Sequence, residues 1–97
     1  MARQLVLISY DIADPKRLNK VFKACQRYGD ALQYSVFCGT LSDSRRAEAV
    51  AELDGLINHD EDRILILSLG PDNERTRKRF LWLGRQGELP TIEETLI

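Results

Sequence analysis

Gln4-Leu5-Val6-Leu7-Ile8-Ser9-Tyr10-Asp11, followed at once by Ile12-Ala13-Asp14-Pro15-Lys16-Arg17-Leu18, decides the fold. Gln4 to Tyr10 is a nearly continuous apolar run, too short for a buried helix, and it predicts a strand covered on both faces. Asp14-Pro15 then starts a helix. The aspartate is a good N-cap, and proline suits the first helical position because its missing N–H has no intrahelical partner there. Leu18, Val21, Phe22, Cys25 and Tyr28 recur at helical spacing as the buried side, and Gly29 is expected to end the helix in a left-handed conformation. The opposite side carries Lys16, Lys20, Lys23 and Arg27 at steps of four, three and four, a basic stripe along the helix.

Leu32 to Cys38 alternates and is rich in β-formers, which predicts a second strand closed by Gly39. Ser42, Asp43 or Ser44 can cap a second helix whose apolar side is Ala47, Val50, Leu53 and Ile57. After the acidic link His59-Asp60-Glu61-Asp62 comes Arg63 to Leu69, a third apolar run. Gly70 to Asn73 reads as a turn, Phe80 to Leu83 as a short fourth strand, and residues 91–97 as a fifth strand or a tail. The fold expected is α+β, a ferredoxin-like β-α-β-β-α-β sandwich in one domain spanning 1–97, with strands one and three central. Both helices then cover one face of the sheet. The apolar residues of the other face need a cover of their own, and a second copy of the chain would supply it, so a homodimer through the sheets is expected.

Ninety-seven residues allow one domain. Hydrophobic residues at 43% and charged residues at 30% are ordinary for a globular chain and argue against disorder. No apolar run approaches the ~18 residues of a membrane span, and the start lacks the pattern of a signal peptide. Two cysteines are too few for a disulfide scaffold and have no metal-ligand spacing. A reduced, cytosolic protein with no membrane partner is expected. The net charge of −1 hides an asymmetry: residues 1–29 carry six bases against two acids, and the rest of the chain carries −5. A basic N-terminal third points to a polyanion.

Asp11 is the first candidate for chemistry. A carboxylate at the carboxyl end of an apolar strand is a hard oxygen ligand for Mg²⁺ or Mn²⁺; alternatively it ends the strand with a local turn. One carboxylate per chain is a poor site, but two copies facing each other across a twofold axis could share an ion and activate water against a phosphodiester. The stripe Lys16, Lys20, Lys23 and Arg27, with Arg17, and the cluster Arg75, Arg77, Lys78 and Arg79 are candidates for phosphate contact; the alternative is solvated charge. His59 reads as a solvated helix end, Cys25 as core, and Cys38 has no histidine motif around it. There is no Gly-rich phosphate loop and no serine elbow.

Tyr10-Asp11-Ile12, Asp14-Pro15-Lys16-Arg17-Leu18, Tyr28-Gly29 and Gln33-Tyr34-Ser35-Val36-Phe37 together resemble the CRISPR-associated protein 2 family, the small partners of the CRISPR spacer integrase. The resemblance implies a ferredoxin-like homodimer in prokaryotic cytoplasm. It implies that Asp11 is the metal-associated, catalytic residue of an Mg²⁺-dependent endonuclease acting on single-stranded RNA or duplex DNA. It further implies that the dimer bridges integrase subunits and holds duplex DNA on its basic surface, a role that does not need the nuclease site. A toxin-type ribonuclease of the virulence-associated protein D group shares the strand-end aspartate and is the rival enzyme. An RRM-type RNA-binding domain would place aromatics on the central strands, where Val6 to Ile8 and Ile64 to Leu67 offer none. A ferredoxin-like regulator with a merely solvated stripe is the third reading.

Overall fold

A computed structural model of the chain describes residues 3–91. Its elements are β1 (Gln4–Asp11), α1 (Pro15–Gln26), β2 (Asp30–Gln33), β3 (Val36–Leu41), α2 (Asp43–Asp54), β4 (Arg63–Pro71) and α3 (Glu74–Arg77). The strands form one antiparallel sheet in the order β2-β3-β1-β4. This is the β-α-β-β-α-β order, reached by a different division of the chain than its sequence suggests.

The predicted strand Leu32–Cys38 is two strands joined by the turn Tyr34–Ser35. Ser35 takes a left-handed φ of 66°, a conformation normally advertised by Gly or Asn, so the turn has no signature in the sequence. The hairpin supplies the missing strand, and Phe80–Leu83, predicted to be strand four, is irregular. The sheet centre also shifts. Its inner strands are β1 and β3, while the run Arg63–Leu69 lies on the edge as part of β4. There Gly70, at φ 121°, accommodates a bulge that shifts the register opposite Leu5 and Val6. The expected tail strand falls mostly in residues 92–97, outside the described residues.

Asp14 caps α1 as predicted: its Oδ2 accepts from the N–H of Lys16 and of Arg17, each at 3.0 Å. Ser42 caps α2. Gly29, however, is not left-handed. Glycine stands there because a Cβ would run into the Cys38 carbonyl, just as a Cβ on Gly39 would run into that of Tyr28. The two glycines let the α1–β2 link press directly on β3, so Gly39 lies inside a strand rather than after one.

Val6, Ile8 and Tyr10 of β1 and Phe37 and Leu41 of β3 meet Val21, Ala24 and Cys25 of α1 and Ala49 and Leu53 of α2. In α2 the buried side therefore runs through Ala49 and Leu53, while the predicted Ala47 and Val50 face outward. Strand alternation puts Leu5, Leu7, Ser9 and Asp11 on the opposite face. By register, Leu67, Leu65 and Arg63 of β4 share that face. The segment after β4 covers only part of it: Thr76 is buried, and Phe80 lies in a cavity with Leu7, Leu67 and Leu69. Leu65 and Leu67 remain 59% and 47% exposed on a sheet edge that is unpaired among the described residues.

Candidate metal and nucleic-acid site

Asp11 is the last residue of β1 and is exposed. Its side chain points to the face away from the helices, opposite Arg63 in register. Among the described residues its carboxylate accepts no hydrogen bond and forms no ion pair, and no cluster of three or more metal-ligating side chains occurs. A single chain therefore offers an ion one charged oxygen donor here.

The loop after Asp11 is held by a residue that the sequence shows only as the end of an acidic link. Asp62 is buried just before β4 and accepts from the N–H of Ala13 (2.9 Å), the N–H of Asn58 (2.8 Å) and Nε of Arg17 (2.7 Å). The Arg17 guanidinium holds this carboxyl well below the usual aspartate range, with the two backbone N–H groups acting the same way against burial. Arg17 also reaches Glu61 at 2.9 Å. Its charge ties α1 to the β4 entry across 45 residues, a separation no local pattern reveals.

The other candidate bases divide in the same way. Arg27 pairs with Glu52, whose Oε1 also accepts from the Tyr28 hydroxyl at 2.7 Å, joining the two helices. Arg77 bridges Asp72 (2.6 Å) and the Pro90 carbonyl (2.5 Å), so it fastens the C-terminal segment. Lys78, the C-cap of α3, is exposed and stands 3.7 Å from Glu74. Lys16, Lys20 and Lys23 are exposed and make no ion pair among the described residues. They are the part of the stripe left open to a polyanion.

The remaining nucleophile candidates fall away on the geometry. Burial pushes the Cys25 and Cys38 thiols up to about 11, so neither supplies a thiolate near neutral pH. His59 pairs with Asp54 at 2.8 Å on the surface, and that carboxylate raises its pKa.

Fold and site thus define a ferredoxin-like domain with a solitary strand-end carboxylate and a cationic helix. The family described as CRISPR associated protein Cas2 matches residues 4–77. The chain belongs to that family. It is 43% identical over 91 residues to the CRISPR-associated endoribonuclease Cas2 1 of Rhodospirillum rubrum, covering 88% of this chain and 89% of that one. It is 40% identical over 94 residues to the CRISPR-associated endonuclease Cas2 of Halalkalibacterium halodurans, covering 92% of each. The crystal structure of Streptococcus pyogenes Cas2 superposes with a TM-score of 0.71 at 30% identity, over 82% of this chain and 99% of that one. No helix among the described residues is long and apolar enough to cross a membrane.

Proposed function

We propose that this chain is a metal-dependent phosphodiester endonuclease of the Cas2 type, acting as a homodimer that joins the sheet faces of two copies. One observation carries the reading: among the described residues Asp11 is unpaired and lies on the same sheet face as the exposed Leu65 and Leu67. Burying that face against a second copy brings two Asp11 carboxylates to one interface. Mg²⁺, or Mn²⁺, fits such a donor set because it needs few carboxylates and keeps several waters. When bound, the ion would lower the pKa of a water and neutralise charge on the scissile phosphate. Asp11 contributes the anionic oxygen, and the Asp62 anchor fixes the loop that follows it.

The names of the relatives support nuclease activity and leave open RNA or DNA as the substrate. Family membership favours this reading over the toxin-type ribonuclease of the virulence-associated protein D group. The dimer also serves as a scaffold for the CRISPR integrase subunit and binds duplex DNA along α1, where Lys16, Lys20 and Lys23 meet the phosphates.

The dimer is tested by light scattering at micromolar concentration, where a mass about twice 11.1 kDa is expected. A clean monomer overturns the shared site. The DNA surface is tested by replacing Lys16, Lys20 and Lys23 together with alanine. Duplex affinity should fall, and the slope of log K against log salt should flatten by about one unit for each phosphate no longer neutralised. Arg17 and Arg27, held by Asp62 and Glu52, should contribute little to that slope.

A further inference from the structure

We propose that the groove between α1 and the β2–β3 hairpin binds an unpaired nucleobase of a single-stranded nucleic acid. The inference rests on the nucleic-acid function proposed above and adds a second site to it. The groove has a volume of about 480 Å³, within the range of small-ligand sites, and is lined by Tyr10, Asn19, Phe22, Gln33, Tyr34 and Phe37 among others. Phe37 anchors it, with Phe22 edge-on at 5.7 Å and Tyr10 stacked at 6.3 Å. Phe22 is 40% exposed and Tyr34 is 89% exposed, so two aromatic rings are open to a ligand. Tyr34 makes little of the core. It is carried on the hairpin turn by Ser35 in its left-handed conformation, the strained kind of backbone that clusters at ligand clamps.

Polar groups select among the flat ligands such a groove could take. Asn19 and Gln33 each bring an amide with both donors and an acceptor, the complement of a base edge. Asn19 is flanked on the helix surface by Lys16 at i−3 and Lys23 at i+4, with Lys20 adjacent in sequence. An apolar peptide would gain nothing from the two cations that neighbour Asn19 on the helix surface, Lys16 and Lys23. A nucleotide places its base on the rings and its phosphates on the lysines. Strand alternation puts Asp11 on the other face of the sheet, so this groove holds a strand without being the place where it is cut.

The test measures fluorescence anisotropy of a labelled oligouridylate of about ten nucleotides, an abasic strand of equal length, and a DNA duplex. The base-bearing strand should bind about 5- to 100-fold tighter than the abasic one, and Tyr34→Ala should remove that preference. Tyr34→Phe should retain it, because the ring face remains. Duplex affinity and the salt slope should be unchanged in both variants. Equal binding of the two strands by the wild type, with duplex binding intact, overturns this proposal alone. Failure to bind duplex and strand alike overturns the nucleic-acid function with it. A base preference that survives Tyr34→Ala also overturns the assignment, and conversion of a dimer to a monomer by that variant gives the groove to a second copy instead.

Discussion

Replacing Asp62 with alanine should lower the thermal midpoint by about 5–10 °C, measured by circular dichroism, because it removes the buried carboxylate of a part-buried ion pair and strands two backbone N–H donors. Three groups lose their acceptor together: the N–H of Ala13, the N–H of Asn58 and the Arg17 guanidinium. Arg17 keeps only the exposed Glu61, at 2.9 Å. Asp62→Asn should be intermediate, since its one amide oxygen can still accept from one of the two backbone N–H groups, while Arg17 is left with Glu61 alone as its counter-charge. The pH dependence follows in sign. The Asp62 pKa is depressed on folding, chiefly by Arg17, so the stabilisation is complete above the unfolded aspartate value of about 3.9. It is lost as pH falls below that value towards the folded one. The acid limb of the stability profile should therefore flatten in Asp62→Asn, and an unchanged midpoint and acid limb would mean that the cluster does not hold the loop.

The same cluster marks where sequence reading stops. Local signals are fully legible: Asp14 and Pro15 fix the start of α1, and the apolar run of β1 fixes the strand that Asp11 ends. These depend on neighbours within four residues, whose chemistry does not wait for the rest of the fold. Arg17 and Asp62 meet across 45 residues, and nothing in either segment distinguishes an arginine that pairs inward from one that faces a phosphate. Arg27 and Arg77 likewise pair with carboxylates distant or unmarked in the sequence, Glu52 and Asp72, although Arg27 stays exposed. The strand count misleads for a different reason. Ser35 takes a left-handed turn position without the Gly or Asn that usually marks one, so a hairpin passes for one strand and Phe80–Leu83 looks like the fourth. Once the hairpin is counted, β4 moves to the sheet edge. The case for a partner becomes more specific as a result, because the exposed leucines now lie on an edge strand beside Asp11.

That position sets the last expectation. Asp11→Asn should reduce metal-dependent phosphodiester cleavage by about 100-fold or more, because asparagine keeps the shape of the side chain and removes the anionic oxygen an ion requires. Folding should survive unchanged. Among the described residues the Asp11 carboxylate supports no hydrogen bond or ion pair, so the substitution leaves no partner stranded. The dimer should persist for the same reason, since Leu65 and Leu67 rather than Asp11 supply the apolar area of that face. Duplex binding should persist as well, because the free lysines of α1 lie on the other side of the sheet. Cleavage, dimerisation and binding thus separate in one variant. Wild-type cleavage by rigorously purified Asp11→Asn protein would remove the shared metal site. Loss of the dimer or of the fold would make Asp11 a structural strand end, and loss of cleavage alone would leave a scaffold whose nuclease chemistry depends on one oxygen from each of two chains.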